Sequence, residues 1–236
     1  MKRILIICCL SLLLCIVAAQ AATMGVFSQP ERPAIDTDPW HNKLEPLWNR
    51  VLEAERTSPG FTRDGEHFGP VDRITWKNLV TYSKTIPELE LFRSVNGYFN
   101  QWRPKNDEDT WNSPEYWSSP KEFLQHRGGD CEDYAIAKYF GLRSLGLDAD
   151  RMRVVIVRRK DERGIYAREL HAILAVRANG TWFILDNNAR PRNNIFPHTQ
   201  YQGRFDPLYS MNENDAWVHG TQVGMAVTLR HTIVAK

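Results

Sequence analysis

Gly128-Gly129-Asp130-Cys131-Glu132-Asp133-Tyr134-Ala135 sets one cysteine among three carboxylates, directly after a Gly-Gly turn. Gly128 and Gly129 mark the turn, and Asp130 is a good helix N-cap. From Cys131 to about Leu145 the apolar residues Ala135, Ile136, Tyr139, Phe140 and Leu142 recur at helical spacing, and Gly146 is a stop signal. Cys131 therefore falls in the first turn of a helix that reads as buried. Unpaired N–H groups and the positive dipole end favour a thiolate there. Asp130, Glu132 and Asp133 oppose it unless a cation neutralises them.

The segments on either side of this helix differ in period. Upstream, Asp38 can cap a helix that starts near Pro39-Trp40, with Leu44, Leu47, Trp48, Val51 and Leu52 on one stripe. A second helix is expected from about Asp72 to Ser83. A third opens at Pro87, with Leu91, Phe92, Val95, Tyr98, Phe99 and Trp102 on its apolar face. Residues 61 to 71 read as loop, as do residues 103 to 118, which carry Trp111, Tyr116 and Trp117. These three aromatics can line a groove or pack over the core. Ser119-Pro120-Lys121-Glu122 is a capping box with proline at N1.

Downstream the period falls to two. Met152 to Arg159, Ile165 to Ala178 and Thr181 to Asn187 read as strands, with Asn179-Gly180 as a two-residue hairpin turn. Residues 189 to 218 read as loop-rich, and Thr221 to Thr232 as a further strand. N-terminal helices followed by an antiparallel sheet make an α+β domain.

The first 21 residues are excluded from the fold. Lys2 and Arg3 precede the apolar run Ile4 to Val17, and Ala19-Gln20-Ala21 fits a cleavage site, so residues 1–21 read as a signal peptide. Residues 22–37, with Pro30 and Pro33, read as a linker or N-terminal arm, and residues 38–236 as a single domain. An exported chain of this kind is not an integral membrane protein once its signal is removed. Of 236 residues, four are cysteine, and Cys8, Cys9 and Cys15 lie in the leader. Cys131 alone remains, so no internal disulfide forms, and a lone thiol in an exported protein reads as reactive or intermolecular. Without Lys2 and Arg3 the chain has 28 bases against 28 acids, which gives no footing for nucleic acid.

A thiol nucleophile needs a base, and the base needs an orienting acceptor. His171 lies in a central strand. A two-residue loop at Asn179-Gly180 sets Ala178 opposite Thr181, so paired positions sum to 359 and Asn188 falls opposite His171. Asp186 is then on the same face and diagonal to His171, about 7–8 Å away at Cα and closer at the side chains. Cys131, His171 and Asp186 are thus candidates for nucleophile, base and orienter, with the Cys131 N–H as an oxyanion donor. A zinc site built on Cys131 and His171 matches no compact ligand spacing.

Gly129-Asp130-Cys131-Glu132-Asp133-Tyr134-Ala135-Ile136-Ala137-Lys138-Tyr139, with His171-Ala172 and Leu185-Asp186-Asn187, resembles the bacterial transglutaminase-like cysteine proteinases, and within them the LapG-type periplasmic proteases. Tyr116 to Phe123 and Pro207 to Glu213 fit the same pattern. One departure is Ala216-Trp217, where paired tryptophans are expected. The resemblance implies a papain-like, transglutaminase-like fold with Cys131, His171 and Asp186 as the triad. It implies a calcium-dependent (Ca2+) endopeptidase of the periplasm, with Asp130 and Glu132 as metal ligands. Asp133 is added to that set from its proximity. The implied substrate is a large surface adhesin, clipped near its N-terminus so that cells leave a biofilm. The implied regulator is an inner-membrane c-di-GMP receptor. Two other readings of the same residues are a transglutaminase-like acyl transferase and a non-catalytic, calcium-dependent module that binds the adhesin or the receptor.

Overall fold

The computed structural model describes residues 23–36, 38–61 and 75–220. Helices α1 (Pro39–Lys43), α2 (Glu45–Thr57), α3 (Trp76–Tyr82), α4 (Glu88–Phe99), α5 (Asp107–Trp111), α6 (Pro120–His126) and α7 (Cys131–Ser144) pack on one face of an eight-stranded antiparallel sheet. Its strands are β1 (Thr23–Met24), β2 (Pro30–Pro33), β3 (Met152–Lys160), β4 (Tyr166–Ala178), β5 (Thr181–Leu185), β6 (Phe196–Pro197), β7 (Phe205–Met211) and β8 (Ala216–His219). Across the sheet they run β1-β2-β8-β7-β3-β4-β5-β6. The α+β class is the expected one. Among the described residues no helix is long and apolar enough to cross a membrane.

Alternation along the central strands builds two cores. Val154, Ile156, Leu174 and Val176 face the helices, where they meet Phe99, Phe123, Tyr134 and Ile136. Val155, Val157, Ile173 and Ala175 face the other way. Helix α7 is buried nearly all round because it is wrapped by α4, α6 and β4. Gly141 permits that wrapping: a Cβ there would lie 3.0 Å from both Phe99 and Trp76.

The β4–β5 hairpin keeps the expected register, from Ala178↔Thr181 to Leu174↔Leu185. Asn179 and Gly180 both have positive φ, 49° and 76°, which the tight turn requires. The capping box of α6 is present, with Ser119 N–H donating to Glu122 Oε2 at 2.7 Å.

Four expectations change, the smallest being that the stretch 103–118, read as loop, holds the short helix α5 at Asp107–Trp111. The first expected helix is broken at Leu44 into α1 and α2, with Pro46 in the first turn of the second piece, where its missing N–H costs no bond. The stretch from 189 to 218 is not loop-rich: it holds β6, β7 and β8, and β7 pairs with both β3 and β8. It hid because β7 is buried along most of its length and so lacks polar alternation, and because it contains Pro207. That proline sits where the β3–β7 register shifts, a position that tolerates a missing donor. The segment read as a linker or arm is an integrated arm. It adds β1 and β2 to the sheet edge, and fully buried Val26 and Phe27 cover the face opposite the helices. Its Phe27 N–H donates to His198 Nδ1 at 2.7 Å. Glu31 bonds Arg153 at 2.6 Å, and the Arg153 guanidinium lies 3.7 Å from the Trp217 ring centroid. Thus the departure at Ala216-Trp217 concerns packing of this edge. The signal peptide, most of the loop at 61–71 and the strand expected at Thr221 to Thr232 lie outside the described residues.

Candidate active site

Cys131 is the first residue of α7, following Asp130 in an extended N-cap conformation. The turn before it needs glycine: Gly128 has φ +130°, and a Cβ there would fall 2.4 Å from the Arg103 carbonyl oxygen. The Sγ atom accepts the backbone N–H of Ala172 at 3.3 Å and donates its own hydrogen to Glu132 Oε2 at 3.2 Å. The thiol therefore hangs where β5 has left the sheet, because pairing of β5 with β4 stops at Leu174↔Leu185.

His171 and Asp186 meet at the same gap. His171 pairs with Val157 and points to the face opposite Ala172, where its ring lies edge-on to Phe205 at 6.1 Å. Its Nε2 is 2.9 Å from Asp186 Oδ1, and its ring lines the same small cavity as the Cys131 thiol. With Nε2 committed to Asp186, Nδ1 is the nitrogen left for the thiol. Asp186 Oδ1 also accepts the Asn188 N–H at 2.8 Å, and the Asp186 carbonyl accepts Asn100 Nδ2 at 2.9 Å. Burial alone would lower the His171 pKa. The bonds to Asp186 and Cys131 and their charges outweigh it and push it up to about 9. Burial would raise the Asp186 carboxyl, yet the His171 hydrogen bond and charge hold it below its ordinary value.

Lys138 was not foreseen. It lies two turns beyond Cys131 on α7, fully buried, and its Nζ has no hydrogen-bond partner. The nearest aromatic contact is the Tyr134 ring, 5.6 Å away. Burial pulls its pKa down to about 7 against the charge of Asp186. The one sequence signal was a lysine seven residues after the cysteine on a helix otherwise wrapped in apolar groups.

Beside the thiol, Asp107, Asp130 and Glu132 each bring a carboxylate oxygen within 4.8 Å of the others. Asp107 Oδ1, Asp130 Oδ1 and Glu132 Oε1 are buried without a hydrogen-bond partner. Burial raises all three carboxyls, Asp107 to about 7, and the Asp130 charge pushes Asp107 and Glu132 further up. Glu115 adds to the repulsion. Burial and the charges of Asp130 and Asp107 raise it to about 8, although the Trp117 indole N–H bonds it at 2.8 Å. Buried, unpaired, all-oxygen donors in one cluster fit a hard divalent cation.

Asp133 is a correction to this set. Its Oδ1 accepts the Ser118 N–H at 2.7 Å, from the loop before α6, and its Oδ2 the Asp130 N–H at 3.3 Å at the start of α7, so both oxygens are taken by backbone groups. Asp107 stands with Asp130 and Glu132 instead. Its signal was weak, an acidic run at Asp107-Glu108-Asp109 in a stretch expected to be loop, far from the cysteine in sequence. Of the loop aromatics, Trp117 is fully buried and walls the cavity at Cys131, whereas Trp111 stacks on Tyr116 with centroids 4.3 Å apart.

The structure resembles LapG of Legionella pneumophila, with a TM-score of 0.50 and 26% identity over 71% of this chain and 87% of that chain. It resembles the calcium-bound form of that protein to the same TM-score of 0.50, at 27% identity over 72% of this chain and 86% of the other. For the EGTA-treated form the TM-score is 0.51, at 25% identity over 74% and 88%. No curated protein matches the chain in sequence. Residues 74–223, more than half of the chain, match the family model, and the chain belongs to the bacterial transglutaminase-like cysteine proteinases.

Proposed function

We propose that this chain is a calcium-dependent cysteine endopeptidase of the LapG type. The observation that carries the reading is the series Cys131 Sγ, His171 and Asp186, set at a gap in the sheet with 2.9 Å between the last two. His171 takes the thiol proton, and Cys131 Sγ attacks the scissile carbonyl carbon. The oxyanion so formed faces the Cys131 N–H, which the helix leaves unpaired. The intermediate collapses to a thioester as the C–N bond breaks, and His171 returns the proton to the leaving amine. A water molecule, deprotonated by His171, then releases the acid and restores the thiol. Asp186 holds the imidazole with Nε2 outward from the thiol and stabilises the imidazolium.

Asp130, Glu132 and Asp107 would hold Ca2+, which supplies positive charge to offset the carboxylates around the thiolate. The all-oxygen cluster supports this, as does the likeness to a calcium-bound LapG. The sequence resemblance implies a large surface adhesin as substrate, cut near its N-terminus with release from a biofilm. The leader, with Lys2 and Arg3 ahead of the apolar run Ile4 to Val17, supports the periplasm as the site of action after signal removal, and the sequence resemblance implies an inner-membrane c-di-GMP receptor as the regulator.

The test is proteolysis of an N-terminal adhesin fragment from the same cells by wild type and Cys131→Ala. The wild type is expected to yield two fragments and the variant none, with an unchanged circular dichroism spectrum. Cleavage by Cys131→Ala at the wild-type rate sinks the reading. Incorporation of an added amine in place of cleavage would show acyl transfer instead.

A further inference from the structure

The N-terminal arm covers the sheet face behind the catalytic imidazole. Val157 pairs with His171 on one side and with Pro207 on the other. His171, Val157 and Phe205, two residues before Pro207, therefore share the face away from the helices. The Phe205 ring stands edge-on to His171 with centroids 6.1 Å apart. Tyr201 stacks on Phe205 at 4.5 Å, and Phe27 of the arm meets it edge-on at 5.9 Å. One ring thus separates Phe27 from His171. The arm is held there against a cost. Phe27 and Ser28 both adopt the left-handed backbone region, at φ 62° and 54°, which bulky side chains avoid. The Phe27 N–H on His198 Nδ1 at 2.7 Å, the Gly25 N–H on the Gln29 carbonyl at 3.0 Å and the pairing of β2 with β8 hold the kink in place. Such strain persists where the surroundings over-determine it, and it gathers at functional sites.

We infer that the arm is a working part of the active site: Phe27, acting through Phe205, holds the His171 imidazole against Asp186 and keeps water from its back. The inference rests on the reading of His171 as the base and goes beyond it, since the arm lies upstream of the matched residues 74–223. A single hydrogen bond at Nε2 leaves the ring free to tilt, and an apolar wall behind the ring removes that freedom, so that Nδ1 stays aimed at the thiol. The same wall leaves His171 only 3% exposed, and a bond to a carboxylate is stronger when shielded from water. Phe27 and Phe205 are positioning residues, and neither lines the cavity at Cys131.

The test follows the His171 ring-proton signal by NMR against pH in the full chain, with calcium present throughout. The signal is assigned by its loss in His171→Ala. Phe27→Ala removes the contact with Phe205, and Phe27→Leu keeps most of the apolar volume. The midpoint is expected to fall by about one pH unit in Phe27→Ala, a tenfold change in proton affinity, and by about half as much in Phe27→Leu. The kcat for cleavage of the adhesin fragment should fall about tenfold in Phe27→Ala with KM unchanged. Leu79→Ala, in the core on the helix side, is expected to lower Tm comparably while leaving the midpoint and kcat where they are. A midpoint unmoved in both Phe27 variants, or moved as far by Leu79→Ala, overturns the inference. If Phe27→Ala does not fold, Phe27→Leu decides, and a wild-type midpoint in that variant overturns it. Absence of cleavage by the wild type counts against the protease reading, while the midpoint still judges the arm.

Discussion

Removing the cation from the acidic cluster should leave a protein whose stability falls as the pH rises. Asp107 shows the cost: burial, then the charge of Asp130, raises it from 3.8 to about 7. Below about pH 4 this carboxyl is neutral both folded and unfolded. Between 4 and 7 the unfolded chain ionises it while the folded site resists, so stability is lost across that window and is level above it. Three units correspond to about 4 kcal/mol, and about half of that survives solvent screening at a partly hydrated site. For a domain of this size ~2 kcal/mol is worth roughly 4–8 °C in Tm. Calcium at a hundredfold excess over its Kd would restore about 2.7 kcal/mol. The assay is thermal melting at pH 5 and pH 8, with chelator and with calcium. The two curves should lie several degrees further apart at pH 8 than at pH 5, and Asp107→Asn should shrink the gap. If they superimpose at both pH values in the wild type, the cluster is not a cation site.

Asp186→Asn keeps an acceptor for His171 and for the Asn188 N–H but removes the anion that holds the imidazole pKa up near 9. Proteolysis should fall by about a thousandfold or more with little change in Tm, and a loss below tenfold would deny Asp186 its role. Lys138→Met replaces a buried, unpartnered ammonium with an apolar chain of similar volume and should stabilise the fold by about 1–3 kcal/mol. Because burial lowers Lys138 from 10.5 to about 7, that gain is full below pH 7 and fades toward pH 10.5; a destabilised variant in denaturant titrations at pH 6 would refute it. Phe27→Ala empties a fully buried site against Phe205 and should cost about 3–5 kcal/mol in urea unfolding. A cost under 1 kcal/mol would mean that the arm does not cover the sheet.

What could be foreseen was what local rules control. A two-residue turn fixes register, so Asn179-Gly180 sufficed to place Asp186 diagonal to His171, and the 2.9 Å contact follows from counting residues. The N-cap, turn and apolar spacing put Cys131 at the head of a buried helix in the same way. What escaped depended on distant partners. Asp107 joins Asp130 only because α5 folds against the start of α7. Asp133 and Asp130 look alike in sequence, and the Ser118 N–H, from the distant loop before α6, is what takes up one oxygen of Asp133. Strand β7 is covered on both faces, which erases the alternation that marks a half-exposed strand. The arm carries no period, because its two short strands are held by pairing of β1 with β2 and of β2 with β8, and by the anchor residues Val26 and Phe27.

The pairing of Glu31 with His219 joins the two ends of the described chain in neighbouring strands. Almost every residue between them must be in place before that ladder can form, because β8 itself needs β7, and β7 needs β3. Closing so large a loop delays the entropic return on the contact, and topologies dominated by distant pairings fold slowly. The β4–β5 hairpin and α7 are local and can form early. The edge built by β2 and β8 is then the last part of the sheet to assemble, and the first from which unfolding by a pull on the N-terminus would begin.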